Sequence, residues 1–176
     1  TGQVSLGHAG FMAIGAYCAS ILTVKLGFPL LIALLIAGIP SALFGVLIGI
    51  PVLRLKGLYL AIATLGFGII VQIFFENFSY TGASMGIFGM KGTSITLVYV
   101  IVFILIYVFW RLDKSRIGRA FEAIKEDEMI AESMGVNTVP LKGASFAKGA
   151  AIAGVAGALD AHHSFYIDAH DFGFMR

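Results

Sequence analysis

Apolar residues in this chain come in runs too long for a soluble core. Residues 4–24, 30–53, 58–75 and 94–110 are dominated by Leu, Ile, Val, Phe, Ala and Gly. A helix crossing the hydrocarbon layer needs about 20 such residues, with a lower bound near 17. A fifth run, from about Ala144 to Leu159, is shorter and contains Lys148, whose ammonium has to snorkel to an interface. The pattern predicts an all-α membrane protein, a polytopic transmembrane helix bundle of about five spans. Composition agrees: 12% of the residues are charged, against about 25% in soluble domains.

Charge is confined to one place. The segment from Arg111 to Lys142 holds 12 of the 22 charged residues. Loops rich in Lys and Arg stay on the cytoplasmic side of a membrane. With 111–148 inside, its seven basic residues are joined there by Arg54 and Lys56, leaving Lys25, Lys91 and Arg176 on the other face. Nine against three sets the expected orientation, with the loop at 76–93 and the tail at 160–176 both outside.

Several classes of chemistry find no support. The net charge of +2 comes with no basic patch interleaved with aromatics, so nucleic acid is not an expected partner. The single Cys18 lies in an apolar run, which excludes an intrachain disulfide and reads as a packing residue. Gly82-Ala83-Ser84-Met85-Gly86 matches G-x-S-x-G, but a nucleophile elbow needs a preceding strand and here a span precedes it. Asp160, Asp168, His162, His163 and His170 share the expected outer side with Ser84, so a hydrolase remains a remote alternative. Their spacing matches no helical metal-ligand pair, and no metal site is expected. No G-x-x-x-x-G-K-[ST] loop is present, so no catalytic residue is assigned and ATP chemistry belongs elsewhere.

Three kinds of residue stand out inside the runs. Gln3, Ser5 and His8 sit among Gly2, Gly7 and Gly10, and Thr64, Gly66 and Gly68 fall in the third run. Polar groups at membrane depth face a bundle interior or a water-filled path, and glycines that interrupt a helix mark discontinuous helices near such paths. The interfacial start of a span, or plain helix packing, explains them as well. Ser41, Gly45 and Gly49, and again Ala150, Gly154 and Ala158, are spaced as packing seams.

The segment 115–135 predicts one amphipathic helix over 117–134. Ser115 is its cap, Gly135 its stop, and Ile117, Phe121, Ile124, Ala131 and Met134 lie on or near one face. A helix lying on anionic lipid presents a Lys/Arg-rich face. This one has five acids between Glu122 and Glu132 against a single Lys125, which favours a basic groove on a protein partner.

The stretches GQVSLGHAGFMAIGAY (2–17), LKGLYLAIATLGFG (55–68), TGASMGI (81–87), GRAFEAIKEDEMIAESMGVN (118–137) and AGVAGALDAH (153–162) carry a resemblance. Together they make the chain similar to the permease subunits of bacterial branched-chain amino acid ABC transporters, most of all the M-type permeases of high-affinity leucine/isoleucine/valine systems. The resemblance implies one transmembrane permease domain over 1–176, incomplete at both ends, with 111–143 a cytoplasmic loop carrying the coupling helix. It implies a bacterial or archaeal plasma membrane, a second permease subunit, two cytoplasmic ATP-binding subunits that hold ATP and Mg, and an extracytoplasmic amino-acid-binding protein. No cofactor is implied in this chain. Gln3, Ser5, Gly7 and His8, with Thr64, Gly66 and Gly68 of the third run, become candidates for the translocation path. Gly82, Ser84 and Gly86 belong to the outer loop. Gly118, Arg119, Ala120, Glu126, Glu128, Glu132 and Gly135 become the ATPase-coupling segment. Ile69, Asp160, Met129 and Asp168-Ala169 depart from the family pattern. A related permease for urea, short amides or other small polar solutes is the neighbouring alternative.

Overall fold

The computed structural model describes residues 5–52, 55, 57–78, 86–90 and 92–168. Among these residues seven α-helices follow one another: α1 (His8–Ser20), α2 (Leu30–Val52), α3 (Leu58–Asn77), α4 (Ile95–Asp113), α5 (Arg116–Glu126), α6 (Glu128–Ser133) and α7 (Thr138–Ser164). Two two-residue strands, β1 (Ile87–Phe88) and β2 (Tyr166–Ile167), pair antiparallel with Ile87 opposite Ile167. Their pairing joins the loop after α3 to the segment after α7, the two stretches expected to share a side.

The core is a three-helix crossing of α1, α2 and α7. Lipid tails give no hydrophobic drive for helices to associate, so close backbone approach through small residues supplies the contact. The two small-residue rows meet: a β-carbon on Gly45 would stand 2.6 Å from that of Ala150, and Gly154 lies against the Ser41 side chain. Ser41 also donates its hydroxyl to the Phe11 carbonyl of α1 at 3.1 Å, stitching the crossing with a polar bond. Aromatic rings fill the other side of α1. Phe11 lies 4.9 Å from Phe67 and edge-on to Phe146 at 5.7 Å, and Tyr17 stacks on Phe75 at 4.2 Å.

Among the described residues three helices, α2, α3 and α4, are both long and apolar enough to cross a bilayer. The first and fifth runs of the five-span reading differ from that description for physical reasons. The first helix begins only at His8 and changes to a π-helical turn over Ile21–Lys25. There the Ser20 hydroxyl bonds back to the Ala16 carbonyl at 2.7 Å, and the Thr23 hydroxyl stands 3.0 Å from the Ala19 carbonyl. The fifth is no short element: α7 runs 27 residues, about 40 Å at 1.5 Å per residue. Lys142, Lys148 and Asp160 interrupt its apolarity, but its small residues place it at the centre of the bundle. At the opposite extreme, α4 has no buried residue and presents bulky side chains along its length.

The expected single helix over 117–134 is two. Asp127, at φ −154° and ψ 116°, breaks it, and its carboxylate caps α6 by accepting from Met129 N at 2.8 Å and Ile130 N at 3.1 Å. Ser115 caps α5 as expected, accepting from Gly118 N at 3.1 Å. Gly135 ends α6 at φ +84°, a left-handed conformation that suits glycine.

Candidate functional site

The two glycine-weakened stretches are brought together. Thr64, fully buried in α3, accepts from Leu6 N at 3.1 Å and donates to the Ala61 carbonyl at 2.9 Å. Gly7 lies against the Thr64 backbone with no room for a β-carbon, and one on Gly10 would sit 3.0 Å from Gly68 Cα. Gly66 is set apart from this contact, with nothing within 4 Å of its β position. Gln3 lies outside the described residues, as do Gly82, Ser84 and His170. Gly86 is buried against the Ile167 carbonyl beside β1, a packing position.

Ser5 and His8 face a cleft of about 350 Å³ between the start of α1, the end of α4, α5 and α7. Phe109, Leu112, Phe121 and Phe146 form its apolar walls, and Ser5, His8, Ser145 and Lys148 supply its polar groups. His8 Nδ1 stands 3.3 Å from the Ser5 carbonyl. A carbonyl only accepts, so the ring proton sits on Nδ1, and in the neutral ring Nε2 is left as an acceptor. Lys148 Nζ lies 5.5 Å from the centroid of Phe121, a cation over an aromatic face.

The amphipathic segment is fastened to α7. Glu128 pairs with Lys142, and Glu132 accepts from the Thr138 hydroxyl at 2.5 Å. These two acids are therefore engaged within the chain, while Glu126 is exposed. Ile124 and Ala131 are buried, Phe121 and Ala120 are partly so, and Ile117 is exposed with Met129, Ile130 and Met134. Met129 and Met134 keep 78% and 79% of their surface, an unusual degree for methionine. Gly118 has a steric reason to be glycine: a β-carbon would strike the carbonyls of Leu112 and Asp113 at the α4–α5 corner. Arg119 is exposed and donates to the Lys114 carbonyl at 3.4 Å.

Lys142, Ser145 and Lys148, which tie or line these sites, were not among the residues the sequence singled out for function. A lysine in an otherwise apolar, small-residue run was the available signal. Toward the end of α7, His162 is fully buried and engaged, with Nδ1 2.7 Å from the Ala158 carbonyl and Nε2 2.9 Å from the Thr23 hydroxyl. No three His, Cys, Asp or Glu side chains converge on a metal position among the described residues.

Apolar helices crossing through small residues, with an amphipathic segment clamped to the central helix, define a multi-pass membrane helix bundle. A family model described as branched-chain amino acid transport system / permease component matches residues 1–175, and the chain belongs to that family. It is 35% identical, over its whole length, to the high-affinity branched-chain amino acid transport system permease protein LivM of Salmonella typhimurium and to that of Escherichia coli. In both cases it spans 50% of the relative. A probable branched-chain amino acid transport permease protein, LivH of Methanocaldococcus jannaschii, is 30% identical over 83 residues, covering 47% of this chain and 26% of that one. No solved structure matches the chain.

Proposed function

We propose that the chain belongs to a transmembrane permease subunit of an ATP-driven importer for branched-chain amino acids. Residues 1–176 act as one membrane unit, and 111–143 form its cytoplasmic loop. The start of α1 and the middle of α3, through Ser5, Gly7, His8, Thr64 and Gly68, flank the translocation path. Gln3 and Gly66 are assigned to the same path from sequence. ATP is bound and hydrolysed by two separate cytoplasmic subunits, a second permease completes the path, and an extracytoplasmic binding protein delivers the amino acid.

The observation that carries this reading is the clamp of the amphipathic segment onto α7. A partner that displaces α5 and α6 pulls on Glu128–Lys142 and on Phe121–Lys148, and α7 is packed along both α1 and α2. Movement at the segment is thereby passed to the helices beside the path. The exposed Met129, Ile130 and Met134 offer the adaptable apolar contact surface that a docked subunit covers.

Single cysteines at Met129, Met134 and Glu126 test this in the assembled transporter. They are expected to cross-link to the ATP-binding subunits, with the cross-link at Met129 changing in yield on ATP binding. An active complex in which none of the three cross-links rules the docking out. Uptake of labelled leucine, valine, urea and acetamide separates the amino acid importer from a small-amide permease.

A further inference from the structure

The cleft beside Lys148 has a chemistry that selects among ligands. Four apolar side chains wall it, and one ammonium group is its fixed charge. None of its lining residues is a carboxylate; acids appear only in the neighbouring smaller cleft with Asp113 and Glu122. Its volume of about 350 Å³ lies within the range of small-molecule sites, about 300–1,000 Å³. A ligand that satisfies it has an apolar body, one negative group for Lys148, and a hydrogen-bond donor for His8 Nε2. A zwitterionic α-amino acid with an aliphatic side chain has all three.

We propose that this cleft is an inward-facing binding site that holds the departing amino acid, its carboxylate on Lys148 Nζ and its ammonium on His8 Nε2. The proposal rests on the importer reading and deepens it by naming a site. Lys148 already leans over Phe121 of α5, so the ammonium is shared between the site and the amphipathic segment. When α5 lies against the bundle, Phe121 holds Lys148 at the cleft. When α5 is drawn away, Phe121 leaves both the Lys148 ammonium and the apolar wall, and the site loses its shape. Ligand retention is thereby tied to the position of the segment that touches the ATP-binding subunits.

The test is equilibrium binding of tritiated leucine to the complete nucleotide-free transporter in lipid nanodiscs, without binding protein. Saturable binding is expected, with leucinamide, which lacks the carboxylate, competing at least about tenfold more weakly. Lys148→Met is expected to weaken leucine by about tenfold or more and to abolish the preference over leucinamide. Lys148→Arg, which keeps the charge, retains both and controls for folding and assembly. Phe121→Ala weakens both ligands, leucine more than leucinamide, because Lys148 loses its anchor along with the apolar wall. Absent binding to the wild type, equal binding of leucinamide, or leucine binding unchanged in Lys148→Met overturns the site. An anionic lipid headgroup on the same ammonium would produce that last result. Leucine uptake by the same preparation is measured in parallel: a transporter that imports leucine but fails the binding test loses only this site, and one that imports no branched-chain amino acid loses the importer reading itself.

Discussion

Gly15 of α1 and Gly154 of α7 lie backbone to backbone, so close that a β-carbon on Gly15 would fall on the Gly154 main chain. Gly154 also meets the Ser41 side chain, so three helices share one crossing. Overpacking a close crossing costs about 1–3 kcal/mol when the neighbours can shift, and more when the obstacle is backbone. Gly15→Ala and Gly154→Ala are expected to lower the thermal midpoint of the full-length permease in detergent, and the valine variants to prevent recovery of folded protein. Gly66→Ala is the control. Its β position is open, and helix propensity alone favours alanine by about 1 kcal/mol. Equal losses at all three positions would mean that the crossing does not hold the bundle.

Lys142 and Glu128 link α7 to α6 with side chains 12% and 31% exposed. A pair so largely withdrawn from water is costly to break on one side, because the other charge is left unpaired, and it also ties α6 mechanically to α7. Lys142→Met and Glu128→Gln are each expected to lower the thermal midpoint, Glu128→Gln more because it strands the Lys142 ammonium, and to lower the amino acid moved per ATP hydrolysed. The exchange of the two, Glu128→Lys with Lys142→Glu, is expected to recover most of the coupling. Failure of the exchange, with both single variants fully coupled, removes this pair from the transmission.

Much of the scaffold was legible because a membrane leaves few choices. The apolar runs had to be helices, and the rows at Ser41–Gly45 and Ala150–Gly154 had to meet something at close range. The break at Asp127 was hidden because Glu126-Asp127-Glu128-Met129 contains neither Gly nor Pro. An aspartate reads as an interior residue until its carboxylate is seen capping the next turn. The length of α7 was masked by Lys142 and Lys148, which lower its apolarity without ending the helix. Of the path candidates, Gly7, Thr64 and Gly68 cluster, whereas the partners of Glu128 and Glu132 could not be foreseen. No local spacing rule connects residues 14 apart across a helix break. The cleft at Lys148 draws on four elements and has no linear signature.

The cap at Asp127 gives a local test of the two-helix segment. Its carboxylate accepts from two backbone amides, and loss of such a cap costs about 1 kcal/mol. Asp127→Ala is expected to speed hydrogen exchange at Met129 and Ile130 by about fivefold, the kinetic image of that energy. Asp127→Asn, which keeps the acceptor, is expected to stay near wild type. Faster exchange confined to α6 also predicts weaker cross-linking from Met129, because the apolar face is no longer held in place. Unchanged exchange in the alanine variant would mean that α6 is ordered by its ties to α7 through Glu128 and Glu132 and not by this cap.

Thr23 and His162 make the corresponding tie at the other end of α7. The Ala158 carbonyl can only accept, so His162 Nδ1 carries a proton. Thr23 has a single hydroxyl proton and three neighbours for it, the Ala19 carbonyl at 3.0 Å, the Ser20 carbonyl at 3.3 Å and His162 Nε2 at 2.9 Å. With a neutral ring the hydroxyl must turn to Nε2; Ala19 keeps the proton only if Nε2 itself donates. Thr23→Val preserves shape but leaves a fully buried ring nitrogen without this bond, at a cost of about 1–3 kcal/mol. The thermal midpoint is expected to fall accordingly, and Thr23→Ser is expected to restore most of it. His162→Phe in the Thr23→Val background removes the stranded nitrogen, so the double variant is expected to be more stable than Thr23→Val alone. If the double variant instead loses the sum of the two single losses, the hydrogen bond is not what joins the end of α1 to α7.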